Sequence, residues 1–455
     1  MSERRPPVAI LGAGLAGLLA ARELRRRGVA VEVYEAGKRI AGLAQSFRDE
    51  EGFTYDFGAH FITNRLAAAL GIGAQCRDVR KYGEAVRLGA KTYSYPFGLI
   101  RSPRFVASAI SGRLTGSGRG EPPSSAAEWF RAAYGERLAA EVAIPLVEAW
   151  SGAPASELAP SVIPPQVDRG TGHVLGLKLA SRLSHRAVAN GYCRTQPESP
   201  SVWHVYPGGG LGFLCDRLAA DLEGVVHLES PVEAILVEGQ RAVGIRVQGR
   251  DVEASAVVST APVHLLAKLV RGTDALQHLA RFRYRPLILV NLRFSGAGLL
   301  SDVVTWIPER RFPFFRLTEA PRAMPWLAPA GKTVLTVDIG CEVGDPTWRL
   351  ADEAVGAMCL DHLAELIPGA RQRYLGCRVM RTPIAHPVFL REYEAERLAL
   401  EHATPVAGLY SIGRNGEFAH ILMEDVYWRT LARVREVLAF LSTPAPLALS
   451  GSVVA

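Results

Sequence analysis

The segment Gly12-Ala-Gly-Leu-Ala-Gly17 constrains this chain more than any other. A buried-strand run, Val8 to Leu11, precedes it, and Leu18 to Arg27 continues from it with helical periodicity. Gly28 ends that helix, and Val29 to Tyr34 predicts a second strand that finishes at Glu35. A lone G-x-G-x-x-G says little. Set between a strand and a helix, with an acid closing the next strand, it reads as a βαβ unit built to hold a dinucleotide. Gly12 permits the tight turn, Gly14 lets the backbone approach a pyrophosphate, and Gly17 lets helix and strand pack closely. The helix start at Leu15, Ala16 and Gly17 offers free N–H groups and the positive end of a dipole to phosphates. Glu35 lies 18 residues beyond Gly17, where a carboxylate can accept from both hydroxyls of an adenosine ribose.

The order of the following segments separates two candidate nucleotides. A nicotinamide dehydrogenase continues its sheet through roughly the first 150 residues. This chain leaves after two strands, runs through Gly42-Leu-Ala-Gln-Ser46 and Tyr55-Asp-Phe-Gly-Ala-His-Phe61, and returns to the sheet at 256–260 and 408–413. That interrupted order favours FAD, which needs a site extending from the N-terminal turn to a C-terminal loop. Between these pieces, residues 102–190 read as helix-rich, 285–294 and 332–341 as long strands, and Thr347 to Ile367 as one helix with Trp348, Ala351, Val355, Met358 and Leu366 as its core stripe.

Composition excludes several other classes. With 48% hydrophobic and 21% charged residues the chain is globular. Its net charge of +7 is too diffuse for a nucleic-acid binder, and only six of its 52 basic residues are lysine. None of the six cysteines forms a C-x-x-C pair, which argues against a disulfide scaffold and a zinc site, so no metal is expected and a reducing compartment fits. The uncharged run Val8 to Ala21 is too short to span a bilayer, and the chain reads as cytoplasmic. Arg101, Arg104, Arg113 and Arg119, interleaved with Phe105, Val106, Ile110 and Leu114, could rest on an anionic membrane. Arginine stems covering a domain surface explain that segment without a membrane, and membrane contact is the less favoured reading.

Residues 8–61, the block from Tyr206-Pro-Gly-Gly-Gly to Ala-Val-Val-Ser-Thr-Ala-Pro262, and Gly408 to Arg429 together resemble the FAD-dependent amine oxidase superfamily. That superfamily includes protoporphyrinogen oxidase, phytoene desaturase, monoamine oxidase and, more distantly, UDP-galactopyranose mutase. The resemblance implies an α/β fold in which a Rossmann-like FAD-binding domain (1–62, 205–265 and 400–442) is interleaved with a substrate domain of mixed sheet and helical cap (63–204 and 266–399), ahead of a tail (443–455). It implies that Glu35 and Ala36 meet the ribose, that Gly42, Leu43 and Ala44 run along the phosphates, and that Ala59 and His60 lie near the flavin. Val232 would contact the adenine through its backbone, and Gly413 with Arg414 would close over the ribityl-phosphate arm. Met423, opening the last helix, would aim its N–H at the flavin O2 edge, where reduced flavin gathers negative charge.

Three departures narrow the chemistry. Ala41-Gly42-Leu43 stands where amine oxidases carry Gly-Gly-Arg, no Ser-Gly-Gly-Cys-Tyr segment exists for a covalent flavin, and the strand Leu287 to Phe294 has no lysine. The expectation is a noncovalent FAD enzyme with His60 and Arg414 as catalytic candidates. It would take two electrons from a medium-sized organic molecule and pass them to dioxygen or another acceptor. Gly413-Arg-Asn-Gly-Glu-Phe418 followed by Met423 also resembles galactopyranose mutase-like proteins, which use flavin without net oxidation on a sugar nucleotide. Rab GDP-dissociation inhibitors share the fold as escorts without flavin chemistry. Glu417, Glu424 and Asp425 read as complements to a helix dipole, and Tyr206, Trp150 and Trp203 as core aromatics before cavity walls. Acid precipitation should therefore leave all yellow chromophore in the supernatant; flavin retained by the washed pellet would refute noncovalent binding.

Overall fold

The computed structural model describes residues 5–57, 61–95, 97–114, 122–163 and 171–443. The first strand, Val8–Leu11, is buried throughout and lies at the centre of a five-stranded parallel sheet. Ile10 sits opposite Val33 on one side and Val258 on the other. From edge to edge the strands are Val226–His227, Val31–Tyr34, Val8–Leu11, Ala256–Ser259 and Leu409–Ser411, so segments far apart in sequence are neighbours.

Alternation along the first strand assigns its two faces. Val8 and Ile10 pack with Leu18, Leu19, Val434 and Val437, from the helices Leu15–Arg26 and Met423–Ser442. Ala9 and Leu11 face Ile235 and Ile245 of a four-stranded sheet on the opposite side. Helix and strand approach closely at Gly17, where an added Cβ would stand 1.9 Å from the Gly12 carbonyl oxygen.

A second, seven-stranded sheet runs in the order Tyr374–Pro387, Tyr284–Ser295, Lys332–Gly340, Arg316–Thr318, Val304–Trp306, Glu84–Leu88 and Lys91–Tyr95. Its long strand Tyr284–Ser295 again alternates. Ile288, Val290, Leu292 and Phe294 pack with Val355, Cys359 and Leu363 of the helix Asp352–Leu366. Leu287 and Leu289 pack with Phe53, Tyr55 and Trp150 on the other face. That second face bears the candidate site.

Several local expectations need correction. The helix expected over Thr347 to Ile367 is broken into Pro346–Arg349 and Asp352–Leu366. Ala351 is extended (φ −61°, ψ 153°) and caps the second helix, so it is exposed instead of joining the core stripe. The first helix begins earlier than its periodicity indicated, at Leu15, and the second strand begins later, at Val31.

Two histidines are buried without charge. Burial lowers His204 to about 3, and burial with Arg414 and Arg194 nearby lowers His420 to about 3. A group held below its unfolded value binds fewer protons in the native state. Its contribution to stability is therefore full above about 6.5 and is lost as pH falls toward 3. Asp56, raised to about 6 by burial, acts in the opposite direction over part of that range. Comparing urea unfolding of the parent and His204→Gln at pH 7 and pH 5 isolates the histidine. The variant should lose about 2 kcal/mol less than the parent, and equal losses would exclude the buried neutral state. Gly17→Ala should lower stability by about 1–3 kcal/mol through its clash with the Gly12 carbonyl, seen as a lower thermal midpoint; an unchanged midpoint would show that the turn can relax.

Candidate cofactor and substrate site

The N-terminal turn forms an open cradle. A Cβ on Gly14 would meet nothing within 4 Å, so that backbone face is accessible. The helix behind it starts at Leu15 with Ala16 and Gly17, whose N–H groups have no carbonyl within the helix to bond. Ala41 donates its N–H to the Ala13 carbonyl at 2.8 Å, which draws the short turn Gly42–Ala44, including Leu43, alongside Gly14.

Glu35 does more than its position in sequence implied. Its Oε2 accepts the Ala13 N–H and its Oε1 the Gly37 N–H, both at 2.8 Å. The carboxylate thus clamps the glycine turn while each oxygen keeps a lone pair for a ligand hydroxyl. Ala36 beside it is exposed. The Glu35 carbonyl accepts the Ser230 N–H at 2.8 Å, so Val232, which opens a strand two residues later, is held near this end of the cradle.

The C-terminal turn reaches the same place. Gly413 has φ +79°, and a Cβ on it would lie 2.9 Å from Cβ of Ala16. Glu417, 1% exposed, accepts the Gly413 N–H at 3.2 Å and forms an ion pair with Arg429. Ser411 Oγ donates to the Gly416 carbonyl at 2.6 Å, and the Tyr284 hydroxyl donates to the Asn415 carbonyl. Phe418 is held at φ +47°, a left-handed conformation that costs a bulky residue about 1–3 kcal/mol. Its ring, fully buried against Phe282, Tyr284, Phe389 and Tyr393, offsets that cost.

Arg414 crosses from this turn to the seven-stranded sheet. Its Nη2 lies 2.7 Å from His386 Nδ1 and, since a guanidinium only donates, the imidazole nitrogen accepts. Burial, with Arg316 nearby, brings Arg414 down to about 10, so it stays charged at neutral pH. Trp150 of the helical insert stands edge-on to both His386 (5.3 Å between centroids) and His420 (5.4 Å). Arg316 pairs with the fully buried Asp338, and its guanidinium lies 5.5 Å from the Trp306 ring. Arg414 Nε, Asn415 Oδ1 and His420 Nδ1 are buried with no hydrogen-bond partner among the described residues.

Glu424 and Asp425 are not surface complements to the dipole of the last helix. Both are almost fully buried beside Met423, which opens that helix. Glu424 accepts from Thr63 Oγ1 at 2.8 Å and pairs with Arg65. Asp425 accepts the N–H groups of Arg194 (2.7 Å) and Thr195 (3.0 Å), together with the Thr195 hydroxyl (2.9 Å). The two carboxylates fix the helix start to two separate segments.

The fold brings Gly12, Gly14, Gly17, Glu35, Gly42, Gly413 and Arg414 together. An open glycine face, a helix start, a carboxylate with spare lone pairs and three unpartnered buried polar atoms suit a long nucleotide ligand. Ala59 and His60 lie outside the described residues. Trp203 is elsewhere, its Nε1 bonded to Asp78 at 2.8 Å, and Tyr206 is a core residue donating to Asp56. Of the basic segment, Pro103–Leu114 is helical, and Arg104 pairs with Glu141 at 3.1 Å and covers Phe105; Arg119 lies outside the described residues. Among the described residues no helix is long and apolar enough to cross a membrane, and no cluster could hold a metal. Sequence reading missed His386, Arg316 and His420. Only His420, in the loop that follows Gly413-Arg414, carried a positional signal.

Comparison with known proteins agrees with this geometry. The family model described as flavin containing amine oxidoreductase matches residues 15–427. A zeta-carotene-forming phytoene desaturase from Myxococcus xanthus is 30% identical over 192 residues, 36% of this chain and 36% of that enzyme. The match thus spans about a third of that relative's length. Among solved structures, reduced UDP-galactopyranose mutase superposes with a TM-score of 0.76 at 18% identity, over 96% of this chain and 98% of that one. An unverified protoporphyrinogen oxidase from an Exiguobacterium species gives 0.73 at 18% identity, over 96% and 99%. At such identities the superpositions speak for the fold alone, whereas the family match covers most of the chain. The chain belongs to the family of flavin-containing amine oxidoreductases, and its cofactor is FAD, held without a covalent bond.

Proposed function

We propose that this enzyme removes two electrons from a medium-sized, uncharged organic substrate, at a C–H next to nitrogen or oxygen or at a C–C bond. The observation that carries this reading is the contact between the cofactor turn and the seven-stranded sheet, where Arg414, His386, Trp150 and His420 meet in a buried polar seam. FAD, when bound, supplies a hydride acceptor at N5 and passes its electrons to dioxygen or another acceptor. The Gly12–Gly17 turn with the N–H groups of Leu15, Ala16 and Gly17 would hold the pyrophosphate, Glu35 the ribose, and Gly413 with Arg414 the ribityl-phosphate arm. Met423, first residue of the last helix, would present the positive end of that helix dipole to the flavin.

The neighbouring side chains determine which substrate form the seam accepts. Arg414 is charged and has no carboxylate in hydrogen-bond contact among the described residues, so the region favours a neutral amine or alcohol over an ammonium ion. His420, lowered to about 3, is a weak base and an uncharged hydrogen-bonding group at neutral pH. It would orient substrate and not take up a second proton. The aromatic edge of Trp150 excludes water from the same seam.

The mutase-like alternative rests on Gly413-Arg414 followed by Met423, and one experiment separates the two. Anaerobic mixing of FAD-loaded protein with a panel of amines, alcohols and unsaturated precursors should bleach the flavin absorbance with at least one member. His386→Ala should slow that bleaching about 10²-fold by loosening Arg414 and the substrate wall. If oxidised flavin never bleaches and turnover requires prior chemical reduction, the oxidation reading fails.

A further inference from the structure

A cavity of about 780 Å³ opens between the strand Cys76–Asp78 with the loop that follows it and the short turns Ala320–Arg322 and Pro325–Leu327. It shares no residue with the site described above. Four cations line it: Arg77, Arg80, Lys81 and Arg322. Its one acid, Asp78, is already engaged, accepting from Trp203 Nε1 at 2.8 Å and pairing with Arg186 at 3.3 Å. Glu319, 4.0 Å from Arg322, is similarly committed to the N–H groups of Gly298 and Leu300 and to the Thr333 hydroxyl.

The positive charge is therefore largely uncompensated. Arg80 and Lys81 are exposed and have no hydrogen bond or ion pair among the described residues. The Arg77 guanidinium lies 5.2 Å from the Trp326 ring centroid, which holds it at the cavity wall. Trp326 itself has its Nε1 buried with no acceptor among the described residues. A concave surface with one sign of charge focuses its field and concentrates counter-ions. The volume falls in the range of about 300–1,000 Å³ typical of small-molecule sites, and a recess of nine lining residues suits a compact ligand better than a macromolecular face. Arginine forks match the paired oxygens of phosphoryl and carboxyl groups, and lysine adds a point charge.

We propose that this cavity is a second ligand site, separate from the flavin, that binds a small, multiply charged oxyanion. Phosphate esters and polycarboxylates share the required chemistry. Because the strand and loop that line the cavity lead directly into Tyr82 and Glu84, a bound anion abuts the segment whose Glu84 carboxylate accepts from the Tyr82 hydroxyl and Trp306 Nε1, both at 2.8 Å. The inference does not depend on which reaction the flavin performs.

Calorimetric titration of the FAD-loaded protein, with free FAD in excess so that the nucleotide cradle is filled, tests it with sodium pyrophosphate and, separately, with trisodium citrate. At least one should give a single saturable site that weakens as sodium chloride is raised. Binding by only one of them identifies phosphoryl or carboxyl groups as the preferred ligand. The double variant Arg80→Ala/Lys81→Ala, which breaks no hydrogen bond or ion pair among the described residues, should weaken binding about tenfold or more while thermal midpoint and flavin absorbance stay unchanged. The absence of saturable binding by either anion, or equal affinity in the double variant, overturns the proposal.

Discussion

The seat of Gly413 against Ala16 joins the two ends of this molecule. Residues nearly four hundred positions apart meet at van der Waals range, and only a residue without a side chain fits there. The first and last long helices, which begin at Leu15 and Met423, pack against the same face of the central strand. The start of the first helix, at the glycine turn, gives a chain lacking the pyrophosphate arginine a source of favourable potential for phosphate. Everything between the two ends has to be arranged so that this closure is possible.

Buried acids hold the closure in place. Glu35 binds the first turn to its own strand end, Glu417 binds the Gly413 turn to Arg429, and Glu424 with Asp425 bind the last helix to two further segments. Glu417, Glu424 and Asp425 are out of water and take charge-assisted hydrogen bonds, the arrangement in which a buried charge stabilises instead of costing. Removing any one would leave its donors unpaired. These residues position the site without needing to touch substrate.

Much of the cofactor half was legible in the sequence, because glycine spacing, strand and helix periods and a terminal acid are local signals. The glycines, Glu35 and the Gly413-Arg414 turn were found that way. The substrate wall was not. His386 ends a long strand and Arg316 sits in a three-residue strand, and nothing in their local spacing distinguishes them from structural residues. Their roles arise from the packing of one sheet face against a distant turn. The same non-locality hid the buried state of Glu424 and Asp425, since a carboxylate in a first helical turn looks alike whether it faces water or a neighbouring backbone. The broken helix at Ala351 was missed because its apolar stripe continues across the break.

The bond between Arg414 and His386 also decides the direction in which a proton can travel. A guanidinium offers hydrogens and takes none, so the imidazole nitrogen facing it keeps its lone pair and the ring proton must reside on the other nitrogen. Accepting a second proton would break that bond and set two cations against each other. His386 is thus the end of a line and not a link in one: it can present a hydrogen to the seam, but it cannot carry charge through to the Arg414 turn. A proton moving between the sheet and the Arg414 turn would have to pass by a route other than this ring.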